Sequence, residues 1–211
     1  MRLRWLLFAR PAQHDAIFEQ LFTAYTAPNR NYHNLVHVYA CLQLADQFRD
    51  QLTDHRAVIA AIWFHDAVYD PTRSDNEERS ADLAERHLRA MCQSDTFIAE
   101  VRDLIMDTRH QVPPESNDGQ YLADIDLAIL GAPPEEFNAY ERAIRQEYAH
   151  VPDAAFRAGR AQILRSFLDR PSIYLTDFFR DVYEQNARAN LTRSLAALGA
   201  PPPGNSATMP P

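Results

Sequence analysis

Glycine is scarce in this chain, at 5 of 211 residues, and alternating β-branched stretches are hard to find. Both shortages argue against a sheet protein, whose turns and strands draw on those features. Cysteine is rarer still. Only Cys41 and Cys92 are present, in segments that read as helical, which suits the buried or free thiols of a reducing compartment better than a disulfide framework. No glycine-rich phosphate loop, no internal repeat and no apolar run of membrane-spanning length can be found. An excess of basic charge is lacking too: the formal net charge is -8, so nucleic acid and anionic membrane are repelled at long range and neither is expected as a stable partner. The start, MRLRWLLFARPAQHD, has a basic flank, but the apolar stretch Trp5 to Ala9 is shorter than a signal-peptide core and no small-residue cleavage site follows it. It reads as an N-terminal strap on the core of a cytoplasmic protein.

What is present is helix. Hydrophobic residues make up 46% of the chain and keep recurring three and four positions apart, the spacing of an apolar helix face. Helices are expected over 12–26, 33–50, 54–69, 75–92, 94–110, 120–131, 134–149, 153–170 and 176–198. Asp75 with Glu78 has capping-box spacing at one helix start, and Pro71 ends the helix before it. QVPPESNDG, residues 111–119, reads as an exposed loop, and the Pro-rich stretch 199–211 as a frayed tail. The expectation is therefore an all-α, single-domain helical bundle over 1–198.

Three segments put polar chemistry into apolar helices. In AVIAAIWFHD, residues 57–66, a helix apolar nearly all round ends in His65 and Asp66. Such a helix belongs at the centre of a core, where a carboxylate is costly unless a cation or donors compensate. A divalent metal satisfies both residues; taken alone, so does an ordinary core histidine beside a terminal Asp. In YHNLVH, His33 and His37 are four apart and so share one helical face, from which both can ligate, or one can ligate while the other meets substrate. YLADIDLAIL embeds Asp124 and Asp126 in another apolar helix, where an N-cap role would account for Asp124.

In chain order these segments supply H…HD…D, and with them the chain resembles the HD-domain superfamily of metal-dependent phosphohydrolases. The segments RNYHNLVHV, WFHDAVYD, DNEERSADLAERHL, IMDTRH, ADIDLAILG and IRQEYAHVPDAAFRAGRAQIL are similar to one bacterial subgroup of predicted HD phosphohydrolases. The resemblance implies an HD-type helical domain and a metal held by His37, His65, Asp66 and Asp126. Asp126 is preferred to Asp124 because IDLAIL places it where the family's ADxL-type Asp falls. The chain departs from the two-metal members of the superfamily at Asn76, which stands where they carry a histidine. Asn is a poor ligand for a transition metal, so one divalent ion is expected, with Mn, Co, Mg, Fe, Ni and Zn all compatible.

Hydrolysis of a small phosphorylated substrate, a nucleotide among the candidates, would then use a metal-activated water. Asp66 itself or Glu77 is the candidate base; the plainer reading of Glu77 and Glu78 is acids at a helix start. His33 and His110 are candidates for phosphate contact or leaving-group protonation. Arg30, Asn76 and Arg145, with Arg142 beside it, are candidates for substrate binding, since guanidinium matches phosphate geometry. His14, His55, His87 and His150 stand outside this constellation. The rival readings are a non-catalytic metal- or nucleotide-binding module of the same fold, an HD-type oxygenase with an iron pair, and a helical scaffold.

Overall fold

The computed structural model describes residues 11–199, with side chains from residue 16 onward. The strap at Trp5 to Ala9 and the tail beyond Gly199 lie outside the described residues. Nine α-helices and two short 3-10 turns make up the regular structure of the described residues, and no strand occurs among them. The helices are α1 (Pro11–Tyr25), α2 (Leu35–Gln47), α3 (His55–Phe64), α4 (Asn76–Ala90), α5 (Asp95–Asp107), α6 (Asn117–Asp126), α7 (Pro134–Glu147), α8 (Asp153–Leu168) and α9 (Asp177–Ala197). The 3-10 turns are Arg49–Gln51 and Leu127–Gly131. The chain divides into two compact units between Asp126 and Leu127.

In the first unit α3 is the hub. Every residue from Ala57 to Phe64 is buried, and α2, α4, α5 and α6 pack around it. The eight residues from Ala57 onward are apolar on all sides and have no solvent face to offer, so only the centre of a bundle accommodates them. Its start is fixed twice. The Asp54 carboxylate accepts the N–H groups of Arg56 and Ala57 at 2.8 and 3.1 Å. Buried Asp118 accepts those of Thr53 and Asp54, both at 2.7 Å. Two neighbouring helices, α2 and α5, begin on ordinary caps: Asn34 accepts from Val36 N–H, and Ser94 accepts from Phe97 N–H.

Several expected boundaries move. The helix expected over 54–69 stops at Phe64, well before Pro71, because side chains take the backbone groups that would have continued it. Ser80 Oγ accepts Val68 N–H at 3.0 Å and donates back to Val68 O at 3.2 Å. Asn76 likewise accepts Asp70 N–H at 3.0 Å and donates to Asp70 O at 2.9 Å. The helix expected from residue 33 starts at Leu35, so His33 precedes the Asn34 cap, and the shared-face argument for His33 and His37 fails. The capping box at Asp75 is not made: α4 does start at Asn76, but Arg73 binds the Asp75 carboxylate through two nitrogens at 2.6 and 2.5 Å. Asp124 is not an N-cap either; it is fully buried inside α6. Cys92 lies past the end of α4 with a positive φ of 57°, outside the helix expected to hold it.

The second unit is built on α9. Asn190 donates to Leu130 O and Ala132 O at 2.9 and 2.8 Å, and Tyr174 donates to Leu127 O at 3.0 Å. The Asn190 bonds hold the Leu127–Gly131 turn against α9, and the Tyr174 bond ties it to the segment before that helix. The approach is so close that a Cβ on Gly131 would stand 2.7 Å from the Tyr183 carbonyl oxygen, and only glycine fits there.

Candidate metal centre

The first unit brings four side chains from three helix ends to one place. His37 projects from the first turn of α2, His65 is the residue after α3, Asp66 follows in the turn, and Asp126 closes α6. Their donor atoms converge: His37 Nε2 stands 3.1 Å from His65 Nε2 and 3.0 Å from Asp126 Oδ1. His65 Nε2 stands 3.1 Å from Asp66 Oδ2 and 3.6 Å from Asp126 Oδ1, and His37 Nε2 is 3.7 Å from Asp66 Oδ2. Metal–ligand bonds of about 2.1 Å put neighbouring donors about 3.0 Å apart in an octahedron and about 3.4 Å apart in a tetrahedron. The spacings among His37, His65 and Asp126, 3.0–3.6 Å, lie near that range, so these three fit a divalent ion in both chemistry and geometry. Each of the three offers an atom within 4.8 Å of the others, whereas Asp66, close to both imidazoles, stands outside that mutual set.

Both imidazoles are buried, whereas the two carboxylate side chains keep 17% exposure. The group is thus reached from the carboxylate side. His65 Nδ1 donates to Ile62 O at 2.9 Å, which turns Nε2 toward the other donors. Burial disfavours a charged His65 ring, but the Asp66 and Asp126 carboxylates outweigh it and hold its pKa well above the usual value. The reciprocal effect acts on the acids against the same burial penalty. His65, His33 and His37 pull Asp66 down, and hydrogen bonds from His110, His37 and His65 pull Asp126 well below the ordinary carboxylate range. Two carboxylates therefore call for positive charge, which protons on the rings or a cation can supply in exchange.

The other anticipated residues fall around this group in different ways. His110 follows α5 with a left-handed φ of 55°, and its Nε2 donates to Asp126 Oδ2 at 2.8 Å, leaving Oδ1 to face the two imidazoles. It is not the last residue of a helix, as expected, because α5 ends at Asp107. His33 stacks on Tyr69 with centroids 4.2 Å apart and lies 6.3 Å from the His37 ring. Tyr32 packs on His37 at 4.8 Å. Glu77 is half-buried, and burial together with repulsion from Asp66 raises its pKa, which brings it within electrostatic reach of the group. Glu78 instead pairs with Arg109 at 2.6 Å.

The three substrate-binding candidates have other partners. Asn76 is engaged with the Asp70 backbone as described. Arg30 donates to the carbonyl oxygens of His33, Asp66 and Ala67. Arg145 belongs to the second unit, where it donates to Tyr148 O and Val151 O at 2.7 and 3.2 Å. Among the histidines set aside, His55 bonds Asp46 and His87 stacks on Phe64. Tyr69 is a neighbour of the centre to which the sequence reading gave no role; its place within FHDAVYD, a few residues past the His-Asp pair, is the signal that could have found it. No protein-family model matches the chain, and no match was found among curated proteins or among solved structures.

Proposed function

We propose that this chain is a metal-dependent phosphohydrolase of the HD type, acting on a small phosphomonoester or nucleotide with one divalent ion. The observation that carries the reading is the convergence of His37, His65 and Asp126, distant in sequence, with donor atoms 3.0–3.6 Å apart, and of Asp66, whose carboxylate lies 3.1 and 3.7 Å from the two imidazoles. The resemblance in H…HD…D order supports it independently of that geometry. When bound, the ion would supply Lewis-acid stabilisation of phosphoryl charge and a more acidic water.

The chain's own residues do the rest. His37, His65, Asp66 and Asp126 hold the ion, and His110 fixes the orientation of Asp126. Glu77, whose raised pKa makes it a stronger base than an ordinary Glu, takes the proton from the attacking water. The water oxygen bonds to phosphorus as the ester bond breaks, and His33 is the residue that delivers a proton to the departing oxygen. The test is phosphate release from a panel of phosphomonoesters and nucleotides, with the retained metal and with added manganese, cobalt and magnesium. Release that is abolished by chelation and by Glu77→Gln is the expected result. Metal retention without release from any substrate would overturn the hydrolase reading in favour of a binding module.

A further inference from the structure

We propose that Arg30 is the positioning residue of this centre, a clamp that holds the His65–Asp66 turn in its ligating shape, and not a phosphate ligand. The inference rests on reading the four-residue group as a metal site. Arg30 Nη1 donates both to Asp66 O at 2.6 Å and to His33 O at 3.0 Å, while Nη2 donates to Ala67 O at 3.1 Å. One nitrogen thereby joins the segment leading into α2, which carries His37, to the turn carrying His65 and Asp66.

The guanidinium carbon lies 5.3 Å from the centroid of the Tyr25 ring and 5.2 Å from that of Tyr69. Tyr25 is itself buried and donates to Trp63 O at 3.1 Å. The stretch from Tyr25 to Arg30 thus supplies donors to carbonyls 63, 66 and 67, at the end of α3 where the helix leaves oxygens unsatisfied and the macrodipole favours a cation.

The consequence for the centre is local. The Asp66 carbonyl and the Asp66 carboxylate branch from the same Cα, so anchoring the carbonyl restricts the direction in which the carboxylate leaves the chain. Ala67 N–H bonds back to Phe64 O at 2.9 Å, a single turn bond that does not by itself fix Asp66. Three of the five guanidinium N–H groups already serve main-chain oxygens, and those oxygens surround the cation with partial negative charge that repels phosphate. Lysine cannot reproduce this arrangement, because a compact ammonium has neither the planar fork nor the stacking surface.

The experiment is titration of the metal-free, full-length protein with Mn2+ or Co2+ alone, for wild type, Arg30→Met and Arg30→Lys, with helical content followed by circular dichroism. Arg30→Met is expected to weaken metal binding about 10–100-fold, the usual cost of losing an orienting partner, with unchanged helical content. Arg30→Lys should fall between it and wild type. At saturating metal, KM for a hydrolysed phosphomonoester should stay at the wild-type value. Wild-type metal affinity in both folded variants overturns the inference while leaving the metal centre intact, and so does a raised KM with unchanged metal affinity, which would make Arg30 a phosphate ligand. If Arg30→Met loses its fold, Arg30→Lys decides by the same comparison. A wild-type chain that binds neither ion fails the metal reading itself, a result distinct from either of these.

Discussion

Asp107 closes α5 half-buried beside Asp103, and burial followed by repulsion from that neighbour pushes its carboxyl up to about 6, despite a favourable His110. An acid whose folded pKa is raised binds protons more tightly folded than unfolded. Its ionisation therefore withdraws stability as pH climbs from the unfolded value near 4 to about 6, and the loss is complete above that. Asp107→Asn removes the ionisation. Thermal melts should show the variant more stable than wild type at pH 7.5, with the difference narrowing steadily as pH falls to 4.5; a gap that is constant across that range contradicts the assignment. The raised acid could not be seen in IMDTRH alone. It arises from α6, whose entry packs so tightly that a Cβ on Gly119 would lie 2.8 Å from the Cβ of Pro114 and closer still to the Asp107 carboxylate. The ligand candidates were legible because a His or Asp inside an apolar run announces a buried charge. Arg30 was legible as a cation near the site, but not in its role, since three carbonyls from a distant turn leave no mark on its own segment.

Among the elements, α3 was the clearest in the sequence, being apolar on every face, and its burial follows directly. Its end was not. The residues that stop it, Ser80 and Asn76, come from α4 and act through side-chain bonds to the backbone of Val68 and Asp70 that no local pattern encodes. The start of α3 holds a similar surprise, since Asp118 read as part of an exposed loop and is instead buried in the first turn of α6, accepting Thr53 and Asp54 N–H. Asp118→Ala removes both acceptors and the carboxylate tie between α6 and the segment before α3. Urea unfolding should show a loss of about 1–3 kcal/mol, the cost of leaving such donors without their partner. A midpoint equal to wild type would mean that water replaces the carboxylate at no cost.

At the scale of the whole molecule, the all-helical class follows from the three- and four-residue spacing together with the scarcity of glycine, and the structure has that class throughout its described residues. The division at Asp126 was not legible, because helix continues on both sides of it: α6 passes directly into the Leu127–Gly131 turn, and the pattern over 120–131 reads as one element. All four converging side chains belong to the first unit, so the central claim concerns that unit: these residues form one metal site. The most direct measurement is metal per chain by elemental analysis, after loading with Mn2+ or Co2+ and removal of free ion. It should be made on wild type and on folded His65→Ala, Asp66→Ala, His33→Ala and His110→Ala. The account predicts about one ion per chain in wild type, none in His65→Ala or Asp66→Ala, and retention in His33→Ala and His110→Ala, whose side chains act on orientation or substrate. Wild-type protein without stoichiometric metal, or His65→Ala that keeps it, would contradict the account.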